Sequence, residues 1–342
     1  MKKFLALILS LITCFAFVAC NPSQSSESIG ESESIVKDNL TFYAPDGAPA
    51  LAIAKFVKDG ENFGMNADIT YNVVDSSKIG PSMAKGDGDF MVIPVNAASK
   101  LYKSNSKDPY VMTAVVTHGN LYIASTEDVT LEGLKGKVIG VIGQGLVPDL
   151  TLRAILKDKG LLDSVVEGNN ATEGKITIKY FAQASDMLPL LKQGKLSIGL
   201  LPEPALTKLT TKLASEKNWK VLDVQELYDA ENKSYPQAVL MVKKSVYTKY
   251  KAQIDAMSTY FADNLTWIKA NTEEAVNAIT SALPKGVTPS LDASAINATV
   301  IDNCKIYYQV SADAKEQVKE YINKLIAVNP DAAKAVADDF FA

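Results

Sequence analysis

From Leu40 onward the chain alternates short continuous apolar runs with longer stretches whose apolar positions recur every three to four residues. The short runs, at 40–43, 69–74, 90–93, 110–116, 138–142, 176–181, 196–201 and 220–224, have the length and β-branched content of strands. The periodic stretches begin near Pro49, Ile79, Ala97, Pro148, Asp186 and Pro204 and read as helices. Strand and helix in alternation predict parallel strands joined by crossover helices, an α/β fold. The alternation also repeats. Gly86, Pro94, Ala97, Lys100 and Leu101 recur 108 positions later as Gly194, Pro202, Ala205, Lys208 and Leu209. Upstream, Asp46-Gly47-Ala48-Pro49 and Gln144-Gly145-Leu146-Val147-Pro148 open corresponding helices. Two similar lobes follow, residues 39–124 and 125–237. A strand at 238–242 is expected to return to the first lobe, with the helices from Ser245 to Ala342 packed around it. Crossings near 125 and 235 would form a hinge.

The first twenty residues differ from everything after them. Met1-Lys2-Lys3 is basic, 4–18 is apolar, and Ala19-Cys20 closes the run. A basic flank, a short apolar core and a small residue before a cut describe a secretory signal. The run is shorter than the ~20 residues a spanning helix needs. The segment resembles the lipobox of bacterial lipoproteins. That resemblance implies cleavage after Ala19, lipid on Cys20, and anchoring at the extracytoplasmic face of the cell membrane. An ordinary signal that happens to contain Cys20 is the alternative. Residues 20–38 are rich in Ser and Glu with little to bury, and predict a solvated tether.

Composition narrows the partners. With 35 Lys and Arg against 39 Asp and Glu, and Arg153 the single Arg, the chain carries no basic footprint for nucleic acid. A monomer is expected. Once Cys14 leaves with the signal and Cys20 is lipidated, Cys304 has no partner for a disulfide; its run, 299–308, reads as a buried helix face. His118 is the only His, so no histidine-rich metal site is available, and no carboxylates sit at metal-ligand spacing. The dinucleotide pattern fails after Gly143-Gln144-Gly145, where Pro148 replaces the third Gly and Asp149 opposes a pyrophosphate. Ser82-Met83-Ala84-Lys85 lacks its companion motifs, and no G-x-S-x-G occurs. No catalytic residue, metal or cofactor is assigned.

Ligands of parallel α/β sheets bind beyond the carboxyl ends of the strands. Four junctions of that kind carry Gly or Pro: Pro45 to Pro49 (with Asp46, Gly47 and Ala48), Pro94-Val95-Asn96, Gly143-Gln144-Gly145, and Pro202-Glu203-Pro204. Each is also explicable as turn chemistry alone. Their recurrence in two repeats argues for one shared cleft. Thr117, His118 and Asn120 follow a strand near the expected hinge, and Tyr235 lies at the second crossing. A lone His in such a place serves packing or ligand contact.

With these residues in view, the chain resembles substrate-binding proteins of ABC importers, in the branch that handles sulfonates, nitrate and pyrimidine precursors of thiamine. The resemblance rests on Ala44-Pro-Asp-Gly-Ala-Pro-Ala-Leu-Ala-Ile-Ala, Pro94-Val-Asn-Ala-Ala, Gly143-Gln-Gly with Pro148-Asp149, and Leu200-Leu-Pro-Glu-Pro-Ala. It implies a two-lobed, type II periplasmic-binding-protein fold, with mixed, mostly parallel sheets and a cleft between the lobes. It implies a small-molecule solute delivered to a membrane permease driven by a cytoplasmic ATPase. Asp46, Asn96, His118, Gln144 and Glu203 would supply the polar contacts. No Arg lies in these loops, so sulfonate binding is not assured; Asp46, Asp149 and Glu203 instead suit a ligand with N–H donors, such as a heterocycle. A surface sensor, or an enzyme like the pyrimidine-precursor synthase of related fold, are the alternatives.

Overall fold

The computed structural model describes residues 36–342; the expected signal, Cys20 and the tether as far as residue 35 lie outside the described residues. Twelve strands are described: β1 Asp38–Pro45, β2 Ala67–Val74, β3 Phe90–Pro94, β4 Tyr110–His118, β5 Leu121–Ser125, β6 Lys137–Ile142, β7 Val165–Glu167, β8 Ile176–Phe181, β9 Ile198–Pro202, β10 Lys220–Asp223, β11 Pro236–Lys243 and β12 Ile306–Val310. They form two six-stranded sheets, in the orders β12-β4-β11-β3-β1-β2 and β10-β5-β9-β6-β8-β7. Asp38 opens the first strand, so the tether cannot extend to 38 as expected.

The repeat seen in the sequence has a structural counterpart. β1 pairs in parallel with β2 and β3, and β6 pairs in parallel with β8 and β9. Both sheets are mixed, as expected, with antiparallel as well as parallel pairs. β11 runs antiparallel between β3 and β4, β12 antiparallel to β4, and β5 antiparallel between β9 and β10.

Three expectations need correction. The chain leaves the first sheet at Gly119–Asn120, not near 125, because β5 already pairs with β9 and β10. The run 299–308 is not one helix. The helix Ala298–Asn303 ends there, Lys305 takes a left-handed φ of 51°, and Ile306 opens β12. The β-branched and aromatic Ile306-Tyr307-Tyr308 favours that outcome. Finally, the C-terminal helices do not all keep to the first sheet. The last one, Ser311–Val328, packs on β4 and β12 and also on the helix Val147–Asp158 beside the second sheet.

Strand parity, shifted where the β4–β11 pairing is irregular between Met112 and Ala114, sets which apolar face goes where. Phe42, Phe90, Val92, Ala114 and Val116 share one buried cluster with Phe261, Ile301 and Cys304. Met91, Ile93, Met112 and Val115 lie in another, which continues into the second sheet through Ile139, Val141 and Leu150 and includes Val318, Tyr321 and Leu325 of the last helix. A core shared in this way makes the two sheets one folding unit on that side, and residues 37–342 form one compact body. Among the described residues, no helix is long and apolar enough to cross a membrane.

Candidate functional site

Strand register brings the candidate turns to two facing edges. In the first sheet, Pro45 sits opposite Val74, Pro94 opposite Ala238, His118 opposite Pro236 and Thr117 opposite Ile306. Asp46, Asn96, Gln237, His118 and Lys305 therefore lie along one edge. In the second, Leu121 opposes Pro202 and Ile142 opposes Phe181, which aligns Asn120, Glu203 and Gly143. His118-Gly119-Asn120 is the joint between the two edges.

That joint is tightly built. Gly119 N donates to Tyr235 O at 2.9 Å and His118 N to Lys305 O at 3.0 Å, so three crossing segments meet there. A Cβ on Gly119 would lie 2.3 Å from the Tyr235 ring, a separation only Gly permits. Glu203 N donates to Asn120 O at 3.0 Å, and Leu121 N to Gln225 Oε1 at 2.8 Å, tying the second sheet to the same point.

Around the joint, one group of side chains bridges the two halves. Asp46 Oδ2 accepts from Ser290 N at 2.6 Å. Asp292, two residues on, pairs with Lys208 of the second half at 3.2 Å. Glu203 is buried, with its carboxylate accepting from Thr207 N at 3.1 Å and Thr207 Oγ1 at 2.9 Å, and it faces Asn303. Burial raises its pKa, and the Thr207 and Asn303 hydrogen bonds oppose that rise. The His118 ring stacks on Tyr307 with centroids 3.5 Å apart, and its Nε2 lies 3.1 Å from Gln309 Oε1. Burial lowers its pKa to about 4, so the imidazole is neutral near pH 7. Gly47, at φ 108°, and Ala48 lead from Asp46 into the short helix Ala48–Leu51, which packs against β4 and β12.

Several polar atoms in this region are buried and have no partner in the protein: Asp46 Oδ1, Thr117 Oγ1, His118 Nδ1, Asn120 Oδ1 and Gln237 Oε1. Leaving such a group unpaired costs about 1–3 kcal/mol, so clustering of this kind marks a place built to meet something else.

Other expected contacts are committed elsewhere. Asn96 is buried and its amide donates to Ala332 O at 3.2 Å, holding the C-terminal tail. Pro94 ends β3 and faces Ala238 across the sheet. Gln144 is exposed and donates to Glu167 at 3.0 Å. Gly143 and Gly145 take left-handed φ values of 69° and 72°, as their turn requires. Asp149, read from the sequence as a ligand acceptor, instead takes Gly145 N, Arg153 Nε and Tyr180 OH, all within 2.9 Å. Tyr235 is fully buried against Tyr228 and Tyr321. The sequence reading missed Ser290, Asp292, Lys208, Tyr307 and Gln309. Their positions, in loops, in β12 and, for Lys208, in the helix Lys208–Leu213, carry no local signal of a partner more than eighty residues away.

Two surface concavities lie away from these edges. One of about 380 Å³ sits at the entry ends of β6 and β9, lined by Lys137, Lys195 and Glu127 among others. The other, about 560 Å³, lies between the helices Ala54–Asp59 and Thr272–Ser281. Among the described residues, no group of three His, Cys, Asp or Glu is placed to hold a metal ion.

No family model matches the chain, and no significant match occurs among curated proteins. Solved structures do match over nearly the whole chain. An ABC transporter protein from Parabacteroides distasonis superposes with a TM-score of 0.69 at 19% identity, covering 90% of this chain and 99% of that one. The periplasmic aliphatic sulphonate-binding protein of Escherichia coli gives 0.60 at 14% identity, covering 89% and 96%. The ligand-binding component of an ABC-type import system from Staphylococcus aureus, solved with zinc bound, gives 0.57 at 13% identity, covering 90% and 97%. The chain therefore has the two-sheet periplasmic-binding-protein fold.

Proposed function

We propose that this protein binds a small organic solute where the ends of its two sheets face each other, and delivers it to a membrane permease of the ABC type. The observation that carries the reading is the gathering of unpartnered buried polar atoms on Asp46, Thr117, His118 and Asn120. Recognition sites of this kind place a few polar groups within an otherwise apolar, largely formed setting. The superpositions support it, since the matched structures are an ABC transporter protein, a periplasmic sulphonate-binding protein and the ligand-binding component of an ABC-type import system. On this reading Asp46 to Ala48, Thr117, His118 and Asn120 contact the solute, and Glu203 and Tyr235 support the joint from behind. Cys20, if lipidated, keeps the protein on the outer face of the cell membrane beside the permease.

Native mass spectrometry of protein purified without denaturation tests the binding claim. The expected result is a retained small molecule, released by unfolding, whose addition raises the melting midpoint because it binds only the folded state. Failure to find any stabilising molecule in a metabolite library would remove the reading. Cys20→Ala is expected to release the protein from the membrane fraction with solute affinity unchanged.

A further inference from the structure

Three of the five unpartnered atoms at the joined edges are carbonyl or carboxylate oxygens. Asp46 Oδ1, Asn120 Oδ1 and Gln237 Oε1 accept hydrogen bonds. His118 Nε2 lies 3.1 Å from Gln309 Oε1, and the buried Nδ1 can donate or accept according to the ring tautomer. Thr117 Oγ1 serves in either role. No cation is among these groups.

The molecule already shows what Asp46 takes: its other oxygen holds the Ser290 N–H at 2.6 Å. The single Arg of the chain is already committed. Arg153 contacts Asp149, Glu167 and Tyr180, so it cannot offer its fork to a sulfonate or nitrate. Asp149, which opens the corresponding helix in the second repeat, has its carboxylate engaged by Gly145, Arg153 and Tyr180. Glu203 is similarly filled by Thr207. Asp46 is the carboxylate in these turns with a buried oxygen to spare.

We infer that the solute is a hydrogen-bond donor, a neutral or cationic molecule bearing N–H groups, and that Asp46 selects it over small anions. The inference rests on the solute-binding reading above and adds to it the class of ligand. Its test is a melting-shift and calorimetry comparison on the full chain, using two probe sets matched in size. One set contains amino heterocycles and amidines; the other contains ethanesulfonate, propanesulfonate and nitrate. At least one N–H donor should raise the midpoint by several degrees at a hundredfold excess over its Kd. Asp46→Asn turns the spare acceptor into a donor, and should weaken that probe by about tenfold to a hundredfold. Its unliganded melting should stay close to the parent's. Tight binding of an anion, unchanged by Asp46→Asn, would overturn the donor inference and leave the solute-binding reading standing. No binding from either set counts against both.

Discussion

The two halves meet along two seams of opposite character. On one side, Tyr321 of the last helix stacks on Tyr235 at 5.2 Å and meets Tyr228 edge-on at 5.6 Å, and its hydroxyl lies 2.6 Å from Thr151 Oγ1 of the second half. Tyr235 and Tyr321 are fully buried, inside a cluster that runs through both sheets. On the other side, contact is made by Lys208 with Asp292, by Tyr122 OH with Asn303 O at 3.5 Å, and by Glu203 facing Asn303. The Lys208 and Asp292 side chains are about a third exposed. A shared apolar core is expensive to separate, whereas an exposed ion pair contributes little. The aromatic seam therefore acts as the fixed spine of the molecule. The polar seam is the weaker of the two contacts.

Changes at the spine should have the largest effect. Tyr321→Ala should lower unfolding free energy by about 3–5 kcal/mol, as for other buried aromatic truncations, read by urea titration. The acid response of the joint comes next. His118 is buried neutral with its pKa lowered to about 4, while the unfolded chain binds a proton near 6.5. The unfolded state thus holds more protons between these values, and stability falls as pH drops through that window, by on the order of 3 kcal/mol in total. Glu203 acts in the opposite sense: its raised pKa favours the folded state when protonated, a contribution lost as pH rises. Melting midpoints from pH 7 to pH 4.5 should decline less steeply for His118→Gln than for the parent. An equal slope would place the acid sensitivity elsewhere.

Smaller effects sharpen the contrast. Thr151→Val leaves the Tyr321 hydroxyl without its partner and should cost about 1–3 kcal/mol. Lys208→Ala, at the polar seam, should change stability by less than about 1 kcal/mol. A Lys208 effect as large as that of Tyr321 would mean that the two seams are not different in kind.

Much of this was legible in the sequence, for identifiable reasons. Strands β3, β6 and β9 are short, largely apolar runs that end at Pro94, Gly143 and Pro202, and the recurrence of Pro94 at Pro202 exposed the repeat. β5 was harder to place because Leu121–Ser125 follows β4 with only Gly119-Asn120 between, and apolar pattern does not reveal which sheet a strand joins. β12 was absorbed into a helix for a similar reason, since a buried run of either type looks alike. The amphipathic pattern of the last helix showed that one face is buried, but not that it spans both halves. In the site, Asp46, His118, Asn120 and Glu203 stood out as polar residues among turns. Asn96, Gln144 and Asp149 stood out equally, yet their hydrogen bonds go to Ala332, Glu167 and Arg153. Turn chemistry shows where a polar side chain sits; only the fold shows whether it is already satisfied.

The most direct test of the central claim is amide hydrogen exchange with and without the solute recovered from the purified protein. Bound solute should slow exchange at 46–51, 118–121 and 203–207, and leave the helix Ser311–Val328 unchanged. Protection confined to the lysine-lined hollow around Lys137 and Lys195, or to the last helix, would contradict the placement of the site.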